Sequence, residues 1–374
     1  MHLWLGLASG LVVLIVSITG CLFVFQKEIS EWIWKEKYFV KPTGGPVLPL
    51  HVLERKAQAA LGAQQRVQTI VTYEDPGRTW EFMTYRENDT ALTYFGVLEY
   101  YRSAFVNPYT GEVTGIRDFK YDFFYVVKYL HWSLLLNTAY GQPIVGWSTL
   151  IFVVLLITGL VLWWPKRWTK AYRERSFKIK WKARWRRVNY DLHNVAGFYS
   201  LFPALIIALT GMVYSFQWFS KLVYIAAAGT TRQPAAAVVK PAPPSGEEKL
   251  NETGLDRAWA AARRELPEGR RFMLSPAADS NSTIYVYGYK DQEVYYGADT
   301  WQFDPYSGRL LHKRLDKEKN AGERLIEKNF DIHVGAIGGL TGKIIAFIAS
   351  LICASLPVTG FLVWWGKRRK SVLL

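Results

Sequence analysis

The spacing of the histidines is the clearest indication of chemistry in this 374-residue chain, which contains six of them. Two, His2 and His193, each precede a Thr-Gly pair by 17 residues, namely Thr19-Gly20 and Thr210-Gly211. The residues between are mostly apolar in both cases. The two stretches therefore predict one apolar helix that occurs twice, with a histidine at its start.

A second matching pair begins at His131 and His333. Each is followed by a glycine, a Thr-Gly pair and a Trp-Trp pair in the same order: Gly141, Thr158-Gly159 and Trp163-Trp164, against Gly342, Thr359-Gly360 and Trp364-Trp365. Histidine is a common ligand of haem iron and of other metals. Four histidines in two matching pairs therefore predict two metal centres. The alternative for any one of them is a polar residue at a membrane interface, as for His131 beside Trp132.

The elements that must position these histidines are long apolar segments, since half of the residues are hydrophobic. Four blocks each extend over more than 20 residues: 3–25, 144–164, 195–218 and 344–365. A helix rises about 1.5 Å per residue, so each block is long enough to cross the roughly 30 Å hydrocarbon core of a bilayer. The sequence predicts four membrane spans, with both termini on one side.

The net charge of +15 is concentrated in two places. Residues 165–192 contain 11 basic and 2 acidic residues, and residues 367–370 are all basic. Because basic loops tend to stay in the cytoplasm, the termini and the basic loop are predicted to be cytoplasmic and the two long, nearly neutral connections to lie outside. The charge pattern favours membrane topology and anionic lipid over nucleic acid.

This topology sorts the histidines by membrane face. His2 and His193 are predicted at the cytoplasmic face, and His131 and His333 at the outer face. If matching positions meet, each face has two imidazoles that can bind one iron from opposite sides, which favours electron transfer. The chain has two cysteines and no Cys-x-x-Cys-His motif, so haem would be bound non-covalently, as haem b. We predict two haem b groups, roughly 20 Å apart, with these four histidines as axial iron ligands.

The Thr-Gly pairs of the first and third spans are predicted to lie near the outer haem, and those of the second and fourth spans near the inner haem. We hypothesise that Gly20, Gly159, Gly211 and Gly360 make room for porphyrin, so that bulky replacements would lower the haem content. The alternative is ordinary helix packing at small residues.

The two outside connections have similar patterns. Each begins with a helical pattern, continues with strand-like alternation and reaches an Asn/Asp-Pro-Tyr-x-Gly turn. The helical patterns cover residues 50–61 and 255–266, the strand patterns 67–73, 79–85, 93–106, 283–289 and 301–304, and the turns 107–111 and 304–308. His51 and His312 belong to these connections, have no matching partner, and are predicted to be surface residues.

These motifs together resemble the PepSY-associated transmembrane proteins of bacteria. The resemblance covers nearly the whole chain and depends on Leu130-His131-Trp132, Asp191-Leu192-His193-Asn194, the Thr-Gly spans and the two turns. The family includes iron-regulated inner-membrane proteins and ferric-siderophore reductases. The resemblance therefore implies a bacterial inner-membrane location, PepSY-like domains in the periplasm, and a ferric siderophore or other ferric complex as substrate.

The predicted fold is a membrane all-α four-helix core of two duplicated halves, with two small α+β PepSY-like domains on the outer side. Its segments are span 1 (1–26), the first periplasmic domain (27–120), an interfacial helix with His131 (121–143), span 2 (144–165), a basic cytoplasmic loop (166–192), span 3 (193–218), a connector with a flexible Pro/Ala-rich linker (219–250), the second periplasmic domain (251–330), an interfacial segment with His333 (331–343), span 4 (344–366) and a basic cytoplasmic tail (367–374).

The predicted function is di-haem b electron transfer across the membrane, which would make the chain an oxidoreductase acting on a ferric-siderophore-type substrate. No Gly-x-Gly-x-x-Gly motif follows a predicted strand, so a separate electron donor is expected, either a quinol or a flavoprotein reductase. The alternative is a non-enzymatic PepSY-type membrane regulator or a transporter subunit in iron uptake. Against transport, the spans carry almost no ionisable residues at mid-membrane.

Overall fold

The computed structural model describes residues 1–234, 239–241, 252–279 and 281–371. Its helices are α1 (His2–Phe23), α2 (Gln26–Ile33), α3 (Lys35–Tyr38), α4 (Leu50–Leu61), α5 (Tyr94–Val97), α6 (Phe123–Ser133), α7 (Thr138–Trp163), α8 (Lys170–Phe177), α9 (Trp185–Asp191), α10 (Gly197–Ser215), α11 (Gln217–Ala228), α12 (Glu252–Glu265), α13 (Ala321–Glu327), α14 (Asn329–His333) and α15 (Gly339–Ser371). The strands are β1 (Thr69–Tyr73), β2 (Trp80–Glu87), β3 (Leu98–Val106), β4 (Val113–Asp118), β5 (Arg271–Ser275), β6 (Ile284–Tyr289), β7 (Asp299–Phe303) and β8 (Leu310–Arg314).

Within the described residues, four helical stretches are long and apolar enough to cross a membrane: His2–Phe23, Thr138–Trp163, Trp185–Ser215 and Ala336–Gly366. They form one bundle, in which α1 packs along α15 and α7 packs along α10. Large apolar side chains project outward from it, such as Leu11, Val161 and Phe202. A helix that is apolar on all sides is typical of a membrane span. The four predicted spans are confirmed as long apolar helices.

The strands form a single antiparallel sheet in the order β4-β3-β2-β1-β5-β6-β7-β8. The two outside connections, which were predicted as two small α+β domains, therefore contribute to one continuous sheet. The central strands β1 and β5 pair with each other, with Ile70 opposite Leu274, and so join the first four strands to the last four. Strands β1 and β5 would each be an edge strand in a four-stranded sheet. Because they pair with each other, their backbone groups on that side are hydrogen-bonded.

Helices α4 and α12 cover one face of this sheet. Their buried residues Leu53 and Ala258 pack against a core that includes Phe82 and Trp301. The opposite face contacts the helices that lead into the bundle. There the hydroxyl of Tyr125 on α6 donates to the hydroxyl oxygen of Tyr101 on β3 at 3.2 Å. The sheet therefore lies over the end of the bundle to which α6 leads.

Most predicted elements of the outside layer are present, with small differences in their bounds. The helix at residues 50–61 is found as predicted, and both Pro-containing turns close over a glycine with positive φ, Gly111 and Gly308. Strands β4, β5 and β8 are additional to the prediction. The predicted flexible linker begins beside α11, and most of it lies outside the described residues.

Candidate metal-binding sites at the two ends of the bundle

The outer site is formed by His131 near the end of α6 and His333 at the end of α14. Their ring centroids lie 6.0 Å apart, with an angle of 71° between the ring planes. Two imidazoles that bind one metal ion from opposite sides through bonds of about 2.0–2.1 Å would have centroids roughly 6.4 Å apart. The observed separation is close to that value, so the distance between the two rings is compatible with one metal ion held by both histidines.

Each of these two histidines lies before a tight turn into the next span. Gly141 of α7 lies against α6: a Cβ added there would lie 1.9 Å from the carbonyl oxygen of Ser133. Gly342 of α15 is similar, since its Cβ would lie 2.1 Å from the carbonyl oxygen of Gly335. Only glycine allows this backbone approach. The glycine that follows each outer histidine in the sequence therefore fixes the position of the histidine segment against the span.

Hydrogen bonds determine which nitrogen of each outer histidine is available for a metal. The Nδ1 of His131 bonds the carbonyl oxygen of Val16 at 2.9 Å, and the Nδ1 of His333 bonds that of Ile207 at 3.1 Å. A carbonyl oxygen can only accept, so Nδ1 carries the proton and Nε2 has a free lone pair. Nε2 has no hydrogen-bond partner among the described residues. This arrangement is usual for histidines that bind metals.

Burial keeps both outer imidazoles neutral. Desolvation lowers the pKa of His131 and lowers the pKa of His333 to about 4, with a smaller contribution from the neighbouring His131. Both rings are therefore unprotonated near pH 7, as a metal ligand must be.

The inner site is formed by His2 at the start of α1 and His193, which line the same cavity. His193 lies in a π-helical turn, residues Leu192–Ala196, between α9 and α10. Such turns are rare and are often found at functional sites. The sequence pairing of His2 with His193 and of His131 with His333 thus corresponds to two pairs that are close in the structure. All four predicted ligands belong to one or the other pair.

A threonine from another helix hydrogen-bonds each histidine, at distances of 2.8–3.1 Å between Nδ1 and Oγ1. The pairs are His2 with Thr158, His131 with Thr19, His193 with Thr359, and His333 with Thr210. Each threonine hydroxyl also donates to a carbonyl oxygen of its own helix, for example that of Val154 in the case of Thr158. The hydroxyl oxygen is then free to accept from Nδ1–H, which selects the same tautomer at all four histidines.

The glycine of each Thr-Gly pair faces the same imidazole. A Cβ added at Gly20, Gly159, Gly211 or Gly360 would lie 3.4, 3.6, 3.5 or 3.1 Å from Cε1 of the respective histidine. These glycines therefore contact the imidazole rings that the threonines hold. The hypothesis that they make room for porphyrin remains a prediction.

Each pair of histidines lines a largely apolar cavity. The outer cavity has a volume of about 620 Å³ and the inner cavity about 380 Å³. Apolar walls with a few polar groups suit a planar, hydrophobic cofactor. Phe152 and Val13 line both cavities and therefore lie between the two sites.

Sequence reasoning overlooked an asparagine four residues before two of the histidines. Asn189 donates through Nδ2 to the carbonyl oxygen of Thr359 at 3.0 Å, and Asn329 donates to that of Thr210 at 3.1 Å. Each asparagine thus connects the histidine segment to the Thr-Gly pair that holds its ring. The repeated spacing Asn-x-Asp-x-His at 189–193 and 329–333 was the signal that could have identified them.

The remaining two histidines lie away from both cavities. His51 is half-buried, and its Nδ1 lies 2.5 Å from a carboxylate oxygen of Asp256, so it connects α4 to α12. His312 is half-buried on β8. In the part of the chain that the structure describes, no three His, Cys, Asp or Glu residues converge as a metal site.

Comparison with known proteins agrees with the resemblance drawn from the motifs. Residues 1–367 match the family model described as the PepSY-associated TM region. No curated protein matches the chain. Because the family model covers nearly the whole sequence, the chain belongs to the PepSY-associated transmembrane family.

Proposed function

We propose that the protein transfers electrons across the bacterial inner membrane through two haem b groups and reduces a ferric chelate on the periplasmic side. The observation that best supports this is the repeated environment of four histidines. In every case Nδ1 is held by a threonine, and Nε2 is left without a partner among the described residues. A ring whose Nδ1 is fixed by a hydrogen bond and whose Nε2 is left free has the arrangement of a metal-ligating histidine, and here it occurs four times.

Bound haem would supply reversible one-electron chemistry at each pair. His131 and His333 would hold one iron through Nε2 at the outer end, and His2 with His193 would hold the other at the inner end. Because two histidines of the chain would hold each haem, the bound group would favour electron transfer over oxygen binding. The threonines would orient the rings and keep Nδ1 protonated.

The substrate class is inferred from the family resemblance. Ferric iron is hard and is held tightly by oxygen chelators, and reduction to ferrous iron weakens that hold. Each electron delivered reduces one Fe(III) to Fe(II) and leaves the protein oxidised by one electron. A separate donor, a quinol or a flavoprotein, must therefore reduce it again. The sheet and its two covering helices would lie between the outer site and the periplasm.

Spectroscopy of the purified protein tests the proposal. We expect a Soret band that corresponds to two haems per chain, and loss of about half of it in His131→Ala or His333→Ala. The control variants His51→Ala and His312→Ala should keep the full band, because these residues lie outside both cavities. Protein reduced with dithionite should be reoxidised by a ferric hydroxamate. A wild-type protein without a Soret band would refute the redox function and favour a non-enzymatic membrane regulator.

A further inference from the structure

Lys128 is the one lysine, arginine or carboxylate side chain among the described residues that line the outer cavity. It lies on α6, three residues before His131, so the two side chains project from the same face of the helix. The inner cavity has no lysine, arginine or carboxylate among its described lining residues. A positive charge is therefore a specific feature of the outer site.

The ammonium group of Lys128 has no hydrogen bond or ion pair within the described residues. Its Nζ lies 5.1 Å and 5.8 Å from the ring centroids of Tyr125 and Tyr129, close enough for weak cation–π attraction. Some lysines at this end of the bundle have carboxylate partners. Lys343 is paired with Glu28, for example. Lys128 is thus a cation whose partner is not supplied by the described protein residues.

Lys128 lies at the solvent-exposed edge of the outer cavity. Its side chain is accessible to water, yet desolvation by the surrounding protein lowers its pKa. A desolvated cation is unfavourable unless an anion is close to it.

We infer that Lys128 is an anion-binding residue of the outer cavity, and that its partner is a carboxylate of the ligand that occupies or approaches this cavity. The inference rests on the proposed function. Two sources have this chemistry: a propionate of the bound haem, and a carboxylate of an incoming ferric chelate. In both cases the short, charge-assisted bond to a carboxylate would replace the weaker contacts to the tyrosine rings.

The test compares Lys128→Met and Lys128→Arg with the control Lys120→Met. Lys120 precedes α6, its ammonium group donates to the carbonyl oxygen of Glu99, and it does not line the cavity. The measurements are the haem content, the midpoint potential of each haem, and the rate at which ferric citrate and ferric maltol reoxidise the reduced protein. Citrate presents carboxylates, whereas the maltol complex is neutral. The inner haem serves as an internal control for folding.

If the partner is a haem propionate, Lys128→Met lowers the potential of the outer haem alone, because removal of a cation favours the more positive oxidised state. If the partner is the chelate, both potentials are unchanged and KM for ferric citrate rises about tenfold, as expected for the loss of one charged hydrogen bond. KM for ferric maltol is then unchanged. Lys128→Arg should retain wild-type behaviour in either case.

The inference is overturned if Lys128→Met is indistinguishable from Lys120→Met in both potentials and in both KM values, while the wild-type protein shows two haems. That result would make Lys128 an interfacial anchor. Absence of haem from the wild-type protein is a separate outcome, since it refutes the proposed function itself.

Discussion

Gly360 offers the most stringent test of the site geometry, because it has the least space of the four glycines that face imidazole rings. A Cβ at this position would lie 3.1 Å from Cε1 of His193. This is roughly 0.4 Å closer than a favourable carbon–carbon contact of about 3.5 Å. At Gly159, which faces the other histidine of the same site, the corresponding distance to His2 is 3.6 Å, an ordinary contact. The two alanine variants therefore form a matched pair.

We expect Gly360→Ala to displace the ring of His193 by a few tenths of an ångström. A metal–nitrogen bond tolerates a change of only about 0.2 Å, so the displacement should weaken the inner haem site. Overpacking of this kind costs about 1–3 kcal/mol, which corresponds to roughly 5- to 150-fold weaker binding. Gly159→Ala should bind haem as the wild type does. Replacement of either glycine by leucine should abolish the inner haem.

Folding and haem binding can be separated in this experiment. Alanine in place of glycine within a helix stabilises the helix by about 0.5–1 kcal/mol, so neither variant should unfold more easily because of the backbone. The assay is haem content by Soret absorbance, combined with resonance Raman spectra of the axial ligation, and with the outer haem as reference. Equal haem content in Gly360→Ala and Gly159→Ala would refute the inferred geometry. Normal spectra in the leucine variants would also refute the hypothesis that these glycines provide space.

Two further predictions concern hydrogen bonding and buried charge. Thr158→Val should alter the inner haem spectrum more than Thr210→Val alters the outer one. Nδ1 of His333 still bonds the carbonyl oxygen of Ile207 when Thr210 is replaced, whereas Thr158 is the one hydrogen-bond partner of His2 within the described residues. Resonance Raman spectra of the iron–histidine modes would show the difference, and equal effects would contradict it. Desolvation raises the pKa of Glu81, so its ionisation destabilises the folded state as the pH rises above the pKa of the unfolded chain. Glu81→Gln should therefore raise Tm by about 2 °C at pH 7 and have no effect near pH 4, as thermal unfolding at the two pH values would show.

Local sequence patterns predicted the elements of the outside layer better than their arrangement. The helix at residues 50–61 was predicted because its apolar positions recur with helical spacing, and its buried residues include Leu50, Leu53 and Leu61. Strand β5 was overlooked because it has five residues and no clear alternation. Its pairing with β1 joins segments about 200 residues apart in sequence, and nothing in either segment indicates the other.

The candidate sites show the same limit. Helical spacing indicated that each Thr-Gly pair lies near the end of the bundle opposite to its own histidine. It could not show that the threonine bonds Nδ1 or that the glycine faces Cε1, because those contacts depend on how each helix is rotated about its axis. Packing against neighbouring helices sets that rotation. Thr19 and Gly20, for example, contact His131 because α1 packs against α6.

The distance between the outer and inner sites is set by continuous helical segments and not by loops. Helix α1 carries His2 of the inner site at its start, and its Val16 and Thr19 bond the outer histidine His131. These positions are 14 and 17 residues from His2, which corresponds to about 21–26 Å along the helix. The segment from His193 to Thr210 has the same length and the same two roles. Because two spans each connect both sites, neither site can move along the helix axes without the other, and Phe152 and Val13 lie between them.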